Sequence, residues 1–115
     1  VLESVRILDN RCVYTVVTTD ELREYGCTVK ATDGIVDQLR IIEGIEIAFL
    51  LYQTGNPDEY KVSLRTNSAV DVSRIALSFG GGGHVKAAGC TMTGEPQEIV
   101  EKISGKIREQ WEELK

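Results

Sequence analysis

The segment IEIAFLLYQ, Ile45 to Gln53, constrains the rest of the chain more than any other stretch. It is the most apolar run present and is bounded by Gly44 and the turn-prone TGNPDE. A run of this length between turn signals predicts a strand buried on both faces, and so one in the middle of a sheet. It is interrupted by Glu46 and is far shorter than the roughly 20 residues a membrane helix needs. No basic-then-apolar leader opens the chain, so the expectation is a cytoplasmic protein with no membrane partner. At 115 residues there is room for one domain with a real core and not for two, and residues 1–115 are read as a single domain.

The remaining segments supply neighbours for that strand. Val5 to Leu8 and Cys12 to Thr18 are β-rich and flank Asp9-Asn10, which tolerates the positive φ of a tight turn, so a hairpin is expected. TTDELREYG carries helix caps at Thr19 or Asp20 and a stop at Gly26, and predicts a short helix. TDGIVDQLRIIEG repeats the pattern, with Ile35, Val36, Leu39 and Ile42 at helical spacing, and predicts a second, amphipathic helix ending at Gly44. EYKVSLRT alternates, sending Tyr60, Val62 and Leu64 to one face and Lys61, Ser63 and Arg65 to the other. AVDVSRIALSFG reads as a helix capped by Asp71 and stopped by Gly80, and GCTMT as a short last strand. From Pro96 onward, Ile99, Ile103, Ile107, Trp111 and Leu114 form one stripe of a long C-terminal helix. Strands and helices intermix, so the class is α/β: a mixed sheet of about five strands flanked by helices.

The charge balance narrows the function. A net charge of -5 excludes general attraction of nucleic acid by the whole surface, so an anionic ligand must be held locally. Cys12, Cys27 and Cys90 form no CxxC pair and are read as reduced, buried thiols. One histidine and scattered carboxylates provide no metal-ligand spacing, so no metal is expected to bind this chain.

The candidate local site centres on SFGGGGHVKAAGC, Ser78 to Cys90. Four glycines alone fit a flexible connector as well as a built loop. Here the run follows an apolar helix, contains no linker-type Ser, Asn or Gln, and precedes the small residues Ala87, Ala88 and Gly89. Gly80, Gly81, Gly82 and Gly83 would then form a backbone nest for an anion, with donors added by His84 and Lys86. The spacing is neither a Walker nor a Rossmann loop. Ser63 and Arg65, two apart on one strand, share a face on which a hydroxyl and a planar guanidinium can clamp a phosphate or nucleobase.

GGGGHVKAAG, preceded by KVSLR, resembles the C-terminal, DHH-associated domain of DHH-family phosphoesterases. The resemblance extends through TDGIVDQLRIIEGIEIAFLL and VDVSRIALSFGGGG and so covers most of the chain. It implies the substrate-binding half of a split active site, whose other half is an N-terminal DHH domain carrying a two-metal centre, usually manganese. No DHH sequence occurs here, and the chain alone is expected to be inactive. The resemblance assigns substrate binding to Ser63 and Arg65. It places Gly80 to Gly83 and His84 against the substrate phosphate, with Lys86 in support. The four glycines and compact layout are most similar to the branch acting on short oligoribonucleotides and adenosine 3',5'-bisphosphate. RecJ-like exonucleases, cyclic-dinucleotide phosphodiesterases and the RNA-binding C-terminal module of alanyl-tRNA synthetase are the alternatives. Short substrates suit a chain with 6% aromatic residues and no basic channel for a long strand. A homodimer is compatible with the resemblance.

Overall fold

A computed structural model describes residues 6–8, 11–17, 36 and 44–114. The strands are β1 (Arg6–Leu8), β2 (Cys12–Val17), β3 (Ile47–Gln53), β4 (Glu59–Thr66), β5 (Gly82–Gly83) and β6 (Ala87–Thr93). The helices are α1 (Val72–Ser78), between β4 and β5, and α2 (Pro96–Glu113), after β6. The short helix expected after Thr19, the Asp9-Asn10 turn, Cys27 and most of the second expected helix lie outside the described residues. Within that second segment Val36 is helical and fully buried.

The sheet is mixed, in the order β1-β2-β3-β4-β6-β5. Its one parallel pair is β2 with β3, in the register Cys12 with Ile47 through Val17 with Tyr52; the other pairs are antiparallel. β3 occupies the interior, as its composition predicts. Ile47, Phe49 and Leu51 join a core with α1, α2, β4 and β6, while Ala48, Leu50 and Tyr52 join Val13, Val17 and Val36 on the opposite face. The strand begins two residues later than the apolar run. Glu46 leaves the ladder to pair with Arg11, whose guanidinium also lies 4.1 Å from the centre of the Trp111 ring.

β4 has the alternation its sequence predicts, with Tyr60, Val62 and Leu64 buried in the main core. β6 differs from the expected short strand. It starts at Ala87, because the small residues before Gly89 pair with β4 as far as Arg65. A sixth strand, β5, comes from the glycine run itself.

Two devices set the position of α1. Asp71 caps it, its Oδ1 accepting from the backbone N–H groups of Ser73 at 2.9 Å and Arg74 at 3.3 Å. Gln110, buried on α2, accepts from the Asp71 N–H and donates to the Asp71 carbonyl, both at 2.8 Å. The helix stops at Gly80, whose φ of 84° disfavours residues with a side chain. On α2, Ile99, Ile103, Ile107 and Trp111 are buried as the stripe predicts, whereas Leu114 falls past the helix end and is exposed. No helix among the described residues is long and apolar enough to cross a membrane.

Substitutions at the α1 cap should be measurable by urea denaturation. Asp71→Ala is expected to cost about 1 kcal/mol, and Gln110→Ala about 1–3 kcal/mol because it strands two backbone groups of Asp71. The Ser73 hydroxyl, with the Arg74 and Ser73 N–H groups, holds the Asp71 carboxyl below its usual pKa. A lowered folded pKa stabilises above the unfolded value and loses that effect as pH falls through the folded one. The deficit of Asp71→Ala should therefore be complete near neutrality and shrink in acid; a pH-independent deficit would contradict the cap.

Candidate functional site

The site grows out of the face of β4 that does not enter the main core. Val62 and Leu64 point inward, so Lys61, Ser63 and Arg65 stand on the opposite side. β6 behaves in the same way: Ala88, Cys90 and Met92 enter the core, leaving Ala87, Gly89 and Thr91 on the face of Ser63. Register then builds rows across the sheet. Ser63 is opposite Gly89, and Gly89 is opposite Gly82. Arg65 is opposite Ala87, and Ala87 exchanges two backbone hydrogen bonds with His84, N–H to carbonyl, at 2.8 and 3.2 Å.

His84 and Arg65 thus share a row with one alanine between them. At a strand spacing of about 4.8 Å their Cα atoms stand roughly 10 Å apart, leaving room over Ala87 for a group that both side chains can reach. The small residues of HVKAAG form the floor of this space. A depression of about 290 Å³ lies here, bounded by Ser63, Arg65, Gly82, Gly83, Ala87 and Gly89. A second, of about 390 Å³, adjoins it through Ser63 and Gly89 and extends to Lys61, Gly80 and Gly81.

The glycine run is a structured wall and not a tether. A Cβ at Gly81 would lie 2.2 Å from the Gly89 carbonyl oxygen and 2.6 Å from Cys90 Cβ, and one at Gly83 would lie 2.6 Å from Ala88 Cα. Gly82 has no such neighbour. Its register with Gly89 directs an added methyl toward the Ser63 face, which is the depression. The turn that follows is anchored at two points. The Val85 carbonyl accepts from the Val72 N–H at 3.0 Å, and the Lys86 carbonyl from the Thr66 N–H at 3.1 Å.

The expected nest of outward N–H groups does not form along the whole run. Gly80 donates to the Leu77 carbonyl, Gly81 to that of Ala76, and His84 to that of Ala87. The alternation of an antiparallel ladder also turns the Gly82 N–H toward β6 and leaves that of Gly83 directed to the open edge. Donors for an anion are therefore mostly side chains. Half-buried Arg65 donates from Nη1 to the Leu64 carbonyl at 3.0 Å, which holds one edge of its guanidinium against the strand. His84 and Lys86 are exposed at the turn and stand at the rim of the depression, outside its lining.

Cys90 offers no nucleophile to this face. Its side chain belongs to the core, and burial pushes the thiol up to about 11. Lys61 is the residue that site prediction from motifs omits, although the same alternation that pairs Ser63 with Arg65 places it beside them.

Comparison with known proteins bears on the family and the fold. The family model of the DHHA1 domain matches residues 9–112. The bifunctional oligoribonuclease and PAP phosphatase NrnA of Thermus thermophilus is 33% identical over 95 residues, which are 82% of this chain and 29% of the relative. Oligoribonuclease NrnB of Bacillus subtilis is 55% identical over 40 residues, 34% of this chain and 10% of that protein. The chain thus spans under a third of either relative. In fold, it resembles the crystal structure of an exopolyphosphatase-related protein from Bacteroides fragilis, with a TM-score of 0.83 at 22% identity, covering 95% of this chain and 32% of that one.

Neighbouring glycines should respond in opposite ways to one methyl group. Gly81→Ala, which forces backbone apart, is expected to destabilise the fold by about 1–3 kcal/mol or more. Gly82→Ala should unfold within about 0.5 kcal/mol of wild type while its methyl narrows the depression. Thermal denaturation of both variants checks this, and equal losses of stability would show that the run is not the strand described.

Proposed function

The chain belongs to the DHHA1 domain family, and from that premise we propose that it is the substrate-recognition half of a phosphoesterase acting on short oligoribonucleotides or small nucleotides. The observation that carries the reading is the pair of rows Arg65–Ala87–His84 and Ser63–Gly89–Gly82 on one face of the sheet. They set a guanidinium, a hydroxyl and an imidazole around a floor that has almost no side chains. Phosphodiester hydrolysis spreads negative charge over the phosphoryl oxygens as the bond to the leaving oxygen breaks. In this reading Arg65 makes parallel hydrogen bonds to two of those oxygens, Ser63 donates to the substrate from the adjacent row, and His84 closes the opposite side. The small floor lets the phosphate approach the sheet backbone closely.

No three His, Cys, Asp or Glu side chains among the described residues stand together as a metal-ligand set. These residues do not fit the manganese centre implied by the resemblance. In the proposal that centre belongs to a catalytic DHH domain facing this surface across a cleft. The role of the chain is to bind and orient the substrate there.

The reading of the anion site follows the charge. With a net charge of -5, attraction is confined to a few placed donors, which suits a short ligand that fits within the depressions. The names of the two curated relatives, both oligoribonucleases and one also a PAP phosphatase, support the same substrate class.

In the protein joined to its catalytic domain, Arg65→Ala or His84→Ala is expected to lower kcat/KM for a dinucleotide by about 100-fold. Ser63→Ala should cost about 10-fold, the loss of one hydrogen bond to a charged group. Wild-type kcat/KM in both Arg65→Ala and His84→Ala, with the fold intact by circular dichroism, would overturn the assignment.

A further inference from the structure

The larger depression is not needed to hold one phosphate, and Lys61 and Thr91 in its lining are not among the residues to which the resemblance assigns substrate binding. It continues the smaller one along β4, with Ser63 and Gly89 common to both. Its row across the sheet is Tyr52, Lys61 and Thr91, the next on this face after Leu50, Ser63 and Gly89. Gly80 and Gly81 form its other wall, and Gly81 has no room for a side chain that could fill it.

Lys61 is the cation of this second space. It is exposed and makes no ion pair among the described residues. Glu59, the nearest acid on the same face of the strand, is engaged elsewhere, accepting from Thr54 Oγ1 at 2.9 Å and Asn56 Nδ2 at 3.3 Å. Lys61 and Arg65 are four residues apart on one face, so their Cα atoms are separated by about 13 Å with Ser63 midway. A ligand that fills both depressions passes over Ser63 and meets a cation at each end. The smaller depression falls just short of the roughly 300–1,000 Å³ typical of ligand pockets and the larger just inside it.

We propose that Lys61, with the Thr91 hydroxyl beside it, forms a second phosphate subsite, so that the site selects ligands bearing a second phosphate one nucleoside away from the phosphate held by Arg65. This rests on the reading of the Arg65 depression as the reacting-phosphate site. One arrangement then serves a 5'-phosphorylated dinucleotide and a nucleoside 3',5'-bisphosphate, because both place two phosphates across a single nucleoside. A dinucleoside monophosphate, with one phosphate, leaves the Lys61 subsite empty. Lys61 is a specificity-determining residue in this scheme, remote from the bond that breaks.

The test uses the protein joined to its catalytic domain and compares Lys61→Met, which keeps the aliphatic stem, with wild type on two probes. These are a dinucleoside monophosphate, NpN, and its 5'-phosphorylated form, pNpN. Lys61→Met is expected to lower kcat/KM for pNpN by about 5- to 10-fold, the worth of one charged contact at a partly exposed site. It should leave NpN unchanged and flatten the salt dependence of pNpN toward that of NpN. Equal losses on both probes, or no loss on either, would overturn the subsite. Arg65→Ala, assayed in parallel on NpN, separates the two readings: its failure to reduce NpN hydrolysis would overturn the parent assignment, whatever Lys61→Met does.

Discussion

The two faces of the sheet are covered unequally, and the rest of the structure follows from that difference. Over β3, apolar side chains pack against partners on both sides, so Ile47 to Leu51 contribute nothing to the surface and fix the position of their neighbours. One strand further along, the second face becomes polar. β4 sends Val62 and Leu64 into the same core as Phe49 and presents Ser63 and Arg65 on the other side. The hydrophobic constraint on one face thus places the donors on the other. A register slip of one residue would expose Val62 and Leu64 and bury Arg65, which is strongly unfavourable.

Carrying this polar face onto β6 and β5 required a particular kind of sequence. Large side chains at Ala87, Gly89 or Gly82 would fill the space between Arg65 and His84, while the alternate positions, Ala88 and Cys90, face a core already closed by α1. The run AAGC satisfies both faces at once. Gly81 is set by backbone contact and Gly83 by contact and by a φ of 145°, whereas Gly82 meets only open space. Three glycines in the run, Gly80 included, answer to the fold. The fourth, Gly82, lines the depression.

Much of this was legible in the sequence wherever a short-range pattern carried it. The doubly buried strand, the alternation of β4, the Asp71 cap and the buried stripe from Ile99 to Trp111 all follow from composition and period. What the sequence concealed depends on long-range pairing. Glycine has low strand propensity, so a Gly-Gly strand is invisible until β6 is placed beside it. The early start of β6 at Ala87 is likewise a consequence of its pairing with Arg65. Gln110 reads as an ordinary polar residue on a helix, yet it is buried against the backbone of Asp71 across 39 residues of sequence. Among the site residues, Ser63 and Arg65 were found by spacing and by resemblance. Their alignment in rows with Ala87, Gly89 and Gly82 emerges only from the register.

The rigidity of the loop bears on what an acidic domain can bind. Long-range attraction of an anion is weak or adverse when the whole chain carries a charge of -5, so affinity must come from donors already in place at contact distance. Ordering a mobile glycine loop on binding would cost about 1–2 kcal/mol per residue, enough to cancel one or two hydrogen bonds to phosphate. The fold removes that cost beforehand. The β5–β6 hairpin is tied to α1 through Val85 and to β4 through Lys86, and α1 is itself held by Gln110 and by the Asp71 cap. His84 is thereby held opposite Arg65 by backbone hydrogen bonds at Ala87, Val85 and Lys86, and the most flexible residue type lies in a segment fixed at both ends.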